Sequence, residues 1–156
     1  METTTLAPRI AHPAFAVEGA IDALQAMNKA ISRVRIPERT RELMHLRAGQ
    51  INGCGVCVVG HAKIAREQGE TDDRLFAVAA WRDAPFFTDA ERAALALTEA
   101  VTRLADTADP VPDDVWDEAA RHYDEQELAA LVLSIATANV WNRLNVATRQ
   151  VAGAEW

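Results

Sequence analysis

The chain has 156 residues, 49% of them apolar, so one domain can bury a full core without disulfides or a structural metal. Its net charge of −7, from 23 acidic and 16 basic residues, with the arginines scattered among acids, excludes the concentrated positive patch that nucleic-acid binding needs. The same charge disfavours anionic membranes.

Met1 to Ala20 holds one arginine and no continuous apolar run, which reads as neither a signal peptide nor a transmembrane helix. A cytoplasmic protein is the expectation. In that compartment a lone C-x-x-C pair points to redox or metal chemistry more than to a structural staple.

Residues 1–15, with Pro8 and Pro13, read as an arm, ordered only if it packs on a neighbour, and 16–156 as a single helical domain. Val17, Ala20, Ile21, Leu24, Met27 and Ile31 recur at helical spacing and predict a first helix to about Arg33. Pro37 suits the first position of a second helix running to Asn52, with Leu43, Leu46 and Ile51 on its buried face. Asn52-Gly53 breaks it. A third helix should run from Cys54 to before Gly69. Thr71 caps a short one through Leu75, Phe76 and Val78 to about Trp81, stopped by Pro85. Thr88 with Glu91 is a capping box for a helix to about Ala105.

Asp109 to Pro112 is a turn, and Asp113 or Asp114 opens a helix to about Tyr123. Asp124 with Glu127 caps a last long helix to about Ala147, with Leu128, Leu131, Val132, Ile135, Ala136, Val140, Leu144 and Val146 as its apolar set. No useful strand pattern occurs. The fold class is all-α, with about seven helices joined by short connections.

The chemistry concentrates between Glu42 and His61. Cys54 and Cys57 are the two cysteines of the chain, and chance would place two of them three positions apart only about once in a hundred times. Cys54, Cys57 and His61 have i, i+3, i+7 spacing and share one helix face. The cysteines sit at a helix N-terminus, whose unpaired N–H groups favour a thiolate and can lower a cysteine pKa from about 8.5 to roughly 3.5–7.5. His61 can exchange a proton near neutral pH. If the flanking helices pack antiparallel, Glu42 folds back to orient it. A carboxylate–imidazole–thiol relay is the result, able to attack a peroxide O–O bond and then close a disulfide. Position alone leaves open which cysteine has the lower pKa.

Three other readings accompany this one. Cysteines can simply pack as small hydrophobes. A metal could use Cys54, Cys57 and His61 with His45 or Glu42, although the second Cys pair common in structural zinc sites is absent. A non-catalytic redox sensor or interaction scaffold could reuse the same dithiol. His45 reads as a surface or interface histidine, His12 and His122 have no obvious partners, and Trp81, Trp116 and Trp141 read as core or interface. Asn139, Asn142 and Arg143 on the last helix read as a hydrogen-bonded helix contact.

The stretch Glu42-Leu43-x-x-Leu46-Arg47-x-x-Gln50-x-Asn52-Gly53-Cys54-x-x-Cys57-x-x-x-His61 resembles the core of the AhpD-like alkylhydroperoxidases, within the carboxymuconolactone decarboxylase superfamily. Gly69-Glu70-Thr71, Arg74-Leu75, Ala80-Trp81-Arg82, Phe87, Glu91 to Leu95, Thr98 to Thr102 and Asn139 to Asn145 extend the likeness over roughly residues 38–149. The resemblance implies an AhpD-like helical fold, a homotrimer or homohexamer, and a dithiol reductant protein, lipoyl-bearing or thioredoxin-like. It implies no cofactor. It makes Cys57 the attacking cysteine, Cys54 its proton donor and resolving partner, and Glu42 with His61 the proton relay. Val56, Val59 and Gly60 depart from the family pattern. The two valines should make the pocket more apolar and raise a thiol pKa by desolvation. The decarboxylase branch usually lacks the C-x-x-C, which argues against that activity.

Overall fold

The computed structural model describes residues 5–154, which form eight α-helices and one 3₁₀ segment. They are α1 (Pro13–Ala16), α2 (Ala20–Ile31), α3 (Glu38–Asn52), α4 (Gly55–Glu67), α5 (Asp72–Ala77), the 3₁₀ segment Val78–Asp83, α6 (Asp89–Thr102), α7 (Asp113–His122) and α8 (Glu125–Thr148). The all-helical class holds. The helix beyond the expected seven is α1, a single turn that two prolines and no apolar period had concealed.

Local chemistry sets most boundaries. Thr88–Glu91 and Asp124–Glu127 both form reciprocal capping boxes, and Thr71 caps α5 through the Arg74 N–H. Pro37 is the residue before α3, not its first residue, whereas α7 opens at Asp113 as expected, with Pro112 before it. The first long helix begins at Ala20, three residues later than its periodicity suggests, because Gly19 at φ 78° turns the chain there. The short helix predicted to reach Trp81 tightens into 3₁₀ from Val78, and its Phe76 is 74% exposed.

Helix α3 is the hub, packed on α4, α6 and α8. Its Leu43 and Leu46 join Ala65, Leu75, Val78, Trp81, Phe87 and Leu95 in one core cluster. Its Met44 joins a second cluster with Ala93, Leu97, Ala119, Leu128, Leu131 and Ile135. Glu99, buried on α6, accepts bonds from Trp81 Nε1 (2.9 Å), Arg47 Nε (2.8 Å) and Arg82 Nη1 (2.7 Å), which ties α3, α6 and the 3₁₀ segment together.

Helix α8 corrects the sequence reading of its C-terminal half. Ala136, Val140 and Val146 face outward, while Ser134, Thr137, Asn139, Asn142, Asn145 and Thr148 are buried. The polar side is turned inward because it has partners there. Asn52 Nδ2 donates to Asn139 Oδ1 (3.0 Å) and Asn142 Oδ1 (2.8 Å), and Asn139 Nδ2 donates to Thr102 Oγ1 (3.1 Å). This is the helix contact the Asn139–Arg143 cluster suggested, and each buried amide in it is hydrogen-bonded.

The arm packs on α8 of its own chain. Arg9 N donates to Thr148 O (2.8 Å), Arg9 Nη1 to Ala147 O (3.2 Å), and Gln150 Nε2 to Ile10 O (3.1 Å). Among the described residues no helix is long and apolar enough to cross a membrane.

Candidate active site

The α3–α4 corner builds the site. Gly53 caps α3 at φ 66°, a conformation open to glycine, and reverses the chain into Cys54. Cys54 is the N-cap of α4, and its Sγ accepts the Cys57 N–H at 3.2 Å. The two cysteines are joined by a disulfide, with Cα atoms 5.3 Å apart. Both are buried, Cys54 at 1% and Cys57 at 5% exposure. Gly49 allows this close approach of α3: a Cβ there would lie 3.2 Å from Cys57 Cβ. The sequence reading passed over Gly49 because a mid-helix glycine carries no signal of what it faces.

Antiparallel packing of α3 and α4 places Glu42 beside His61, whose Nδ1 donates to Glu42 Oε2 at 2.7 Å. Burial alone would raise the Glu42 carboxyl, but the His61 bond, with the adjacent His61 and Arg41, outweighs it and holds its pKa below the usual value. His45 is not a bystander. Its ring lies 4.8 Å from that of His61, and its Nε2 is 2.7 Å from Ser134 Oγ. Burial, with the adjacent His61, pushes its pKa down to about 3, so it is neutral at physiological pH.

Cys57 and His61 line one pocket of about 280 Å³, together with His45, Val56, Ile64, Ala138, Trp141 and Asn145. No hydrogen bond joins His61 to Cys57 among the described residues. The polar side chain that reaches Cys57 Sγ is Asn145, whose Nδ2 lies at 3.4 Å. Val59, expected in the pocket wall, is instead 48% exposed and outside it; Val56 is the valine that lines it. Cys54 opens on another side, toward Val146, Arg149 and Gln150.

The histidine readings change accordingly. His12 has partners: its Nε2 meets Asn145 Oδ1 at 3.1 Å and its Nδ1 accepts the Ala14 N–H at 3.1 Å. Trp141 lies beside it, ring centroids 5.6 Å apart, while Trp81 is core and Trp116 is 40% exposed. His122 meets Glu118 at 3.2 Å, remote from the cysteines in sequence and on α7. Among the described residues, the group that could hold a metal is Glu42, His45 and His61, with ligand atoms within 4.8 Å of one another. It excludes both cysteines of the metal set weighed from the sequence, and its Glu42–His61 edge is already a hydrogen bond.

Residues 10–100 match the Carboxymuconolactone decarboxylase family. The chain belongs to this family. Within it, the chain is AhpD-like. A protein from Agrobacterium tumefaciens, ATU0492, of unknown function and proposed as the antioxidant defence protein AhpD, superposes with a TM-score of 0.87 at 32% identity over 96% of this chain and 100% of that one. The uncharacterized protein YdfG of Bacillus subtilis is 35% identical over 91% of this chain and 95% of its own length. The uncharacterized protein YnjA of Escherichia coli is 37% identical over 69% of this chain, which spans 57% of that protein. The debrominase Bmp8 shares the fold at a TM-score of 0.72 and 25% identity, over 86% of this chain and 71% of its own.

Proposed function

We propose that this family member is a thiol-dependent hydroperoxide reductase. The observation that carries the reading is the Cys54–Cys57 pair at the start of α4, with Cys57 opening into the pocket that His61 shares and Glu42 bonded behind His61. In the reduced protein the Cys57 thiolate attacks one peroxide oxygen. The O–O bond breaks, Cys57 becomes a sulfenic acid, and the alcohol leaves after taking a proton. The Glu42–His61 pair supplies that proton from the pocket: an ionised carboxylate behind Nδ1 leaves the far ring nitrogen free to exchange protons with substrate or water. Cys54 then attacks the sulfenic sulfur, water departs, and the disulfide seen here results. A dithiol protein, lipoyl-bearing or thioredoxin-like, returns both thiols by exchange and becomes a disulfide itself.

The apolar wall of Val56, Ile64, Ala138 and Trp141 suits the carbon chain of an organic hydroperoxide. Outward-facing Leu133, Val140 and Val146 on α8 suit a homo-oligomer, a trimer or hexamer. No metal or other cofactor enters this scheme.

Glu42→Gln is expected to lower kcat/KM for hydroperoxide by about 10²-fold, and His61→Ala by about 10²- to 10⁴-fold, with a dithiol donor in excess. Both should leave the disulfide able to form. Wild-type rates in both variants would remove the relay from the account. Turnover unchanged in chelator is expected, and its loss would favour a metal at Glu42, His45 and His61.

A second reading is a redox sensor on the same fold. The burial of both sulfurs and the apolar Val56 beside Cys57 favour it, since desolvation disfavours a thiolate. It predicts reversible disulfide formation with negligible turnover. Sustained reduction of hydroperoxide by a dithiol donor would exclude it as the main role.

A further inference from the structure

The two sulfurs of the pair are served by different donors. The free N–H at the start of α4 that belongs to Cys57 is spent on Cys54 Sγ (3.2 Å). Cys57 Sγ, one turn further in, receives instead the side-chain amide of Asn145 from α8, 88 positions away in the chain.

The direction of that contact follows from the arm. A backbone N–H can only donate, so the Ala14 N–H at 3.1 Å fixes His12 Nδ1 as the acceptor. A neutral His12 ring then carries its proton on Nε2, which donates to Asn145 Oδ1 at 3.1 Å. With its oxygen held there, Asn145 turns its NH₂ toward Cys57. Donors thus run one way from the first turn of α1, through imidazole and amide, to the sulfur. His12 and Asn145 are 5% and 6% exposed, and burial pushes the His12 pKa down against the opposing Asn145 bond, which keeps the ring neutral. The rings of Trp141 and Phe15, each 5.6 Å from His12, hold it in place.

We propose that Asn145 is a catalytic residue whose amide stabilises the Cys57 thiolate, and that His12 is a positioning residue, brought by the N-terminal arm to orient it. The purpose of the thiolate rests on the peroxidase reading; the donor chain does not. An N–H rests weakly on a disulfide sulfur, and reduction turns that sulfur into an anion, for which the same N–H is a charge-assisted donor. The chain therefore favours the reduced, ionised Cys57, both as nucleophile toward an oxidant and as leaving group when a dithiol opens the disulfide.

The test is a pH titration of thiolate ultraviolet absorbance in reduced protein carrying Cys54→Ser, where serine remains an N-cap acceptor. The titratable groups on the Cys57 pocket are His61 from α4 and His45 from α3, with Glu42 behind His61 and His12 from the arm; α2 and α8 contribute the neutral Asn28, Thr137 and Asn145. Arg149 lies on the Cys54 side.

Asn145→Ala is expected to raise the Cys57 pKa by about one unit, and His12→Phe by about half a unit. Asn145→Asp keeps the shape but faces the sulfur with a carboxylate, and should raise it further. An unchanged Cys57 pKa in both folded Asn145 variants overturns the proposal. Shifts in those variants with none in His12→Phe overturn the part given to His12. The titration uses no peroxide, so shifted values beside a wild-type protein without turnover would refute the peroxidase reading and leave the donor chain standing.

Discussion

Cys57→Ser is expected to abolish hydroperoxide reduction, lowering kcat/KM by about 10³-fold or more, because a serine hydroxyl at this site is neither ionised nor able to accept oxygen from a peroxide. Cys54→Ser should behave differently. It keeps the thiolate and the N-cap, so one equivalent of peroxide is still consumed and a sulfenic acid accumulates on Cys57, but no disulfide forms and turnover with a dithiol donor stalls. The pair of variants separates the two sulfurs by role. Full activity in Cys57→Ser would refute the assignment. Multiple turnovers in Cys54→Ser would show that Cys54 is not the resolving thiol.

The largest stability effect is expected at Glu99. Its carboxylate is buried, and three donors from two other elements converge on it. Glu99→Ala leaves Trp81 Nε1 and the 12%-exposed Arg47 without their acceptor, at a cost of about 3 kcal/mol, and should lower Tm by about 6–12 °C. A melting temperature within about 2 °C of wild type would contradict this. Glu99→Gln retains an acceptor for Trp81 and should cost less.

The same site predicts an acid limb. Burial would raise the Glu99 carboxyl, but bonds from Trp81, Arg82 and Arg47 hold its pKa below the usual value; Glu70, bonded by Arg74, the Thr71 N–H and Arg39, is lowered in the same way. Each group binds its proton more readily in the unfolded chain. Its contribution is therefore complete above the unfolded carboxylate pKa, about 4.3, and is lost as pH falls through the lower folded value. Chemical-denaturation stability should fall below about pH 5, and less steeply in Glu99→Gln than in wild type.

Local features of this chain were legible from sequence, and long-range ones were not. Capping at Thr88 and Asp124 is written within four residues, and the structure forms both boxes. The short Asn52-Gly53 corner makes antiparallel packing of α3 and α4 a natural expectation, and given that packing the spacing brings Glu42 to His61. Asn145 could not be found that way. It reaches Cys57 only because α8 turns its polar side inward, against the rule that apolar residues face the core, and leaves Val140 and Val146 of the apolar set exposed. His12 is further from view still. Its partner is 133 residues away, and the arm is held there in part by a backbone bond from Arg9 to Thr148, which carries no side-chain signature. A buried asparagine on a helix otherwise rich in apolar residues was the one available clue, and it was read at Asn139 and Asn142 but not at Asn145.

The central claim is that hydroperoxide oxidises this dithiol directly. Native mass spectrometry of freshly reduced protein, before and after one equivalent of organic hydroperoxide per subunit, tests it most directly. The account predicts a metal-free species that loses two hydrogens per subunit, with peptide mapping linking Cys54 to Cys57. A mass left unchanged by hydroperoxide would contradict it.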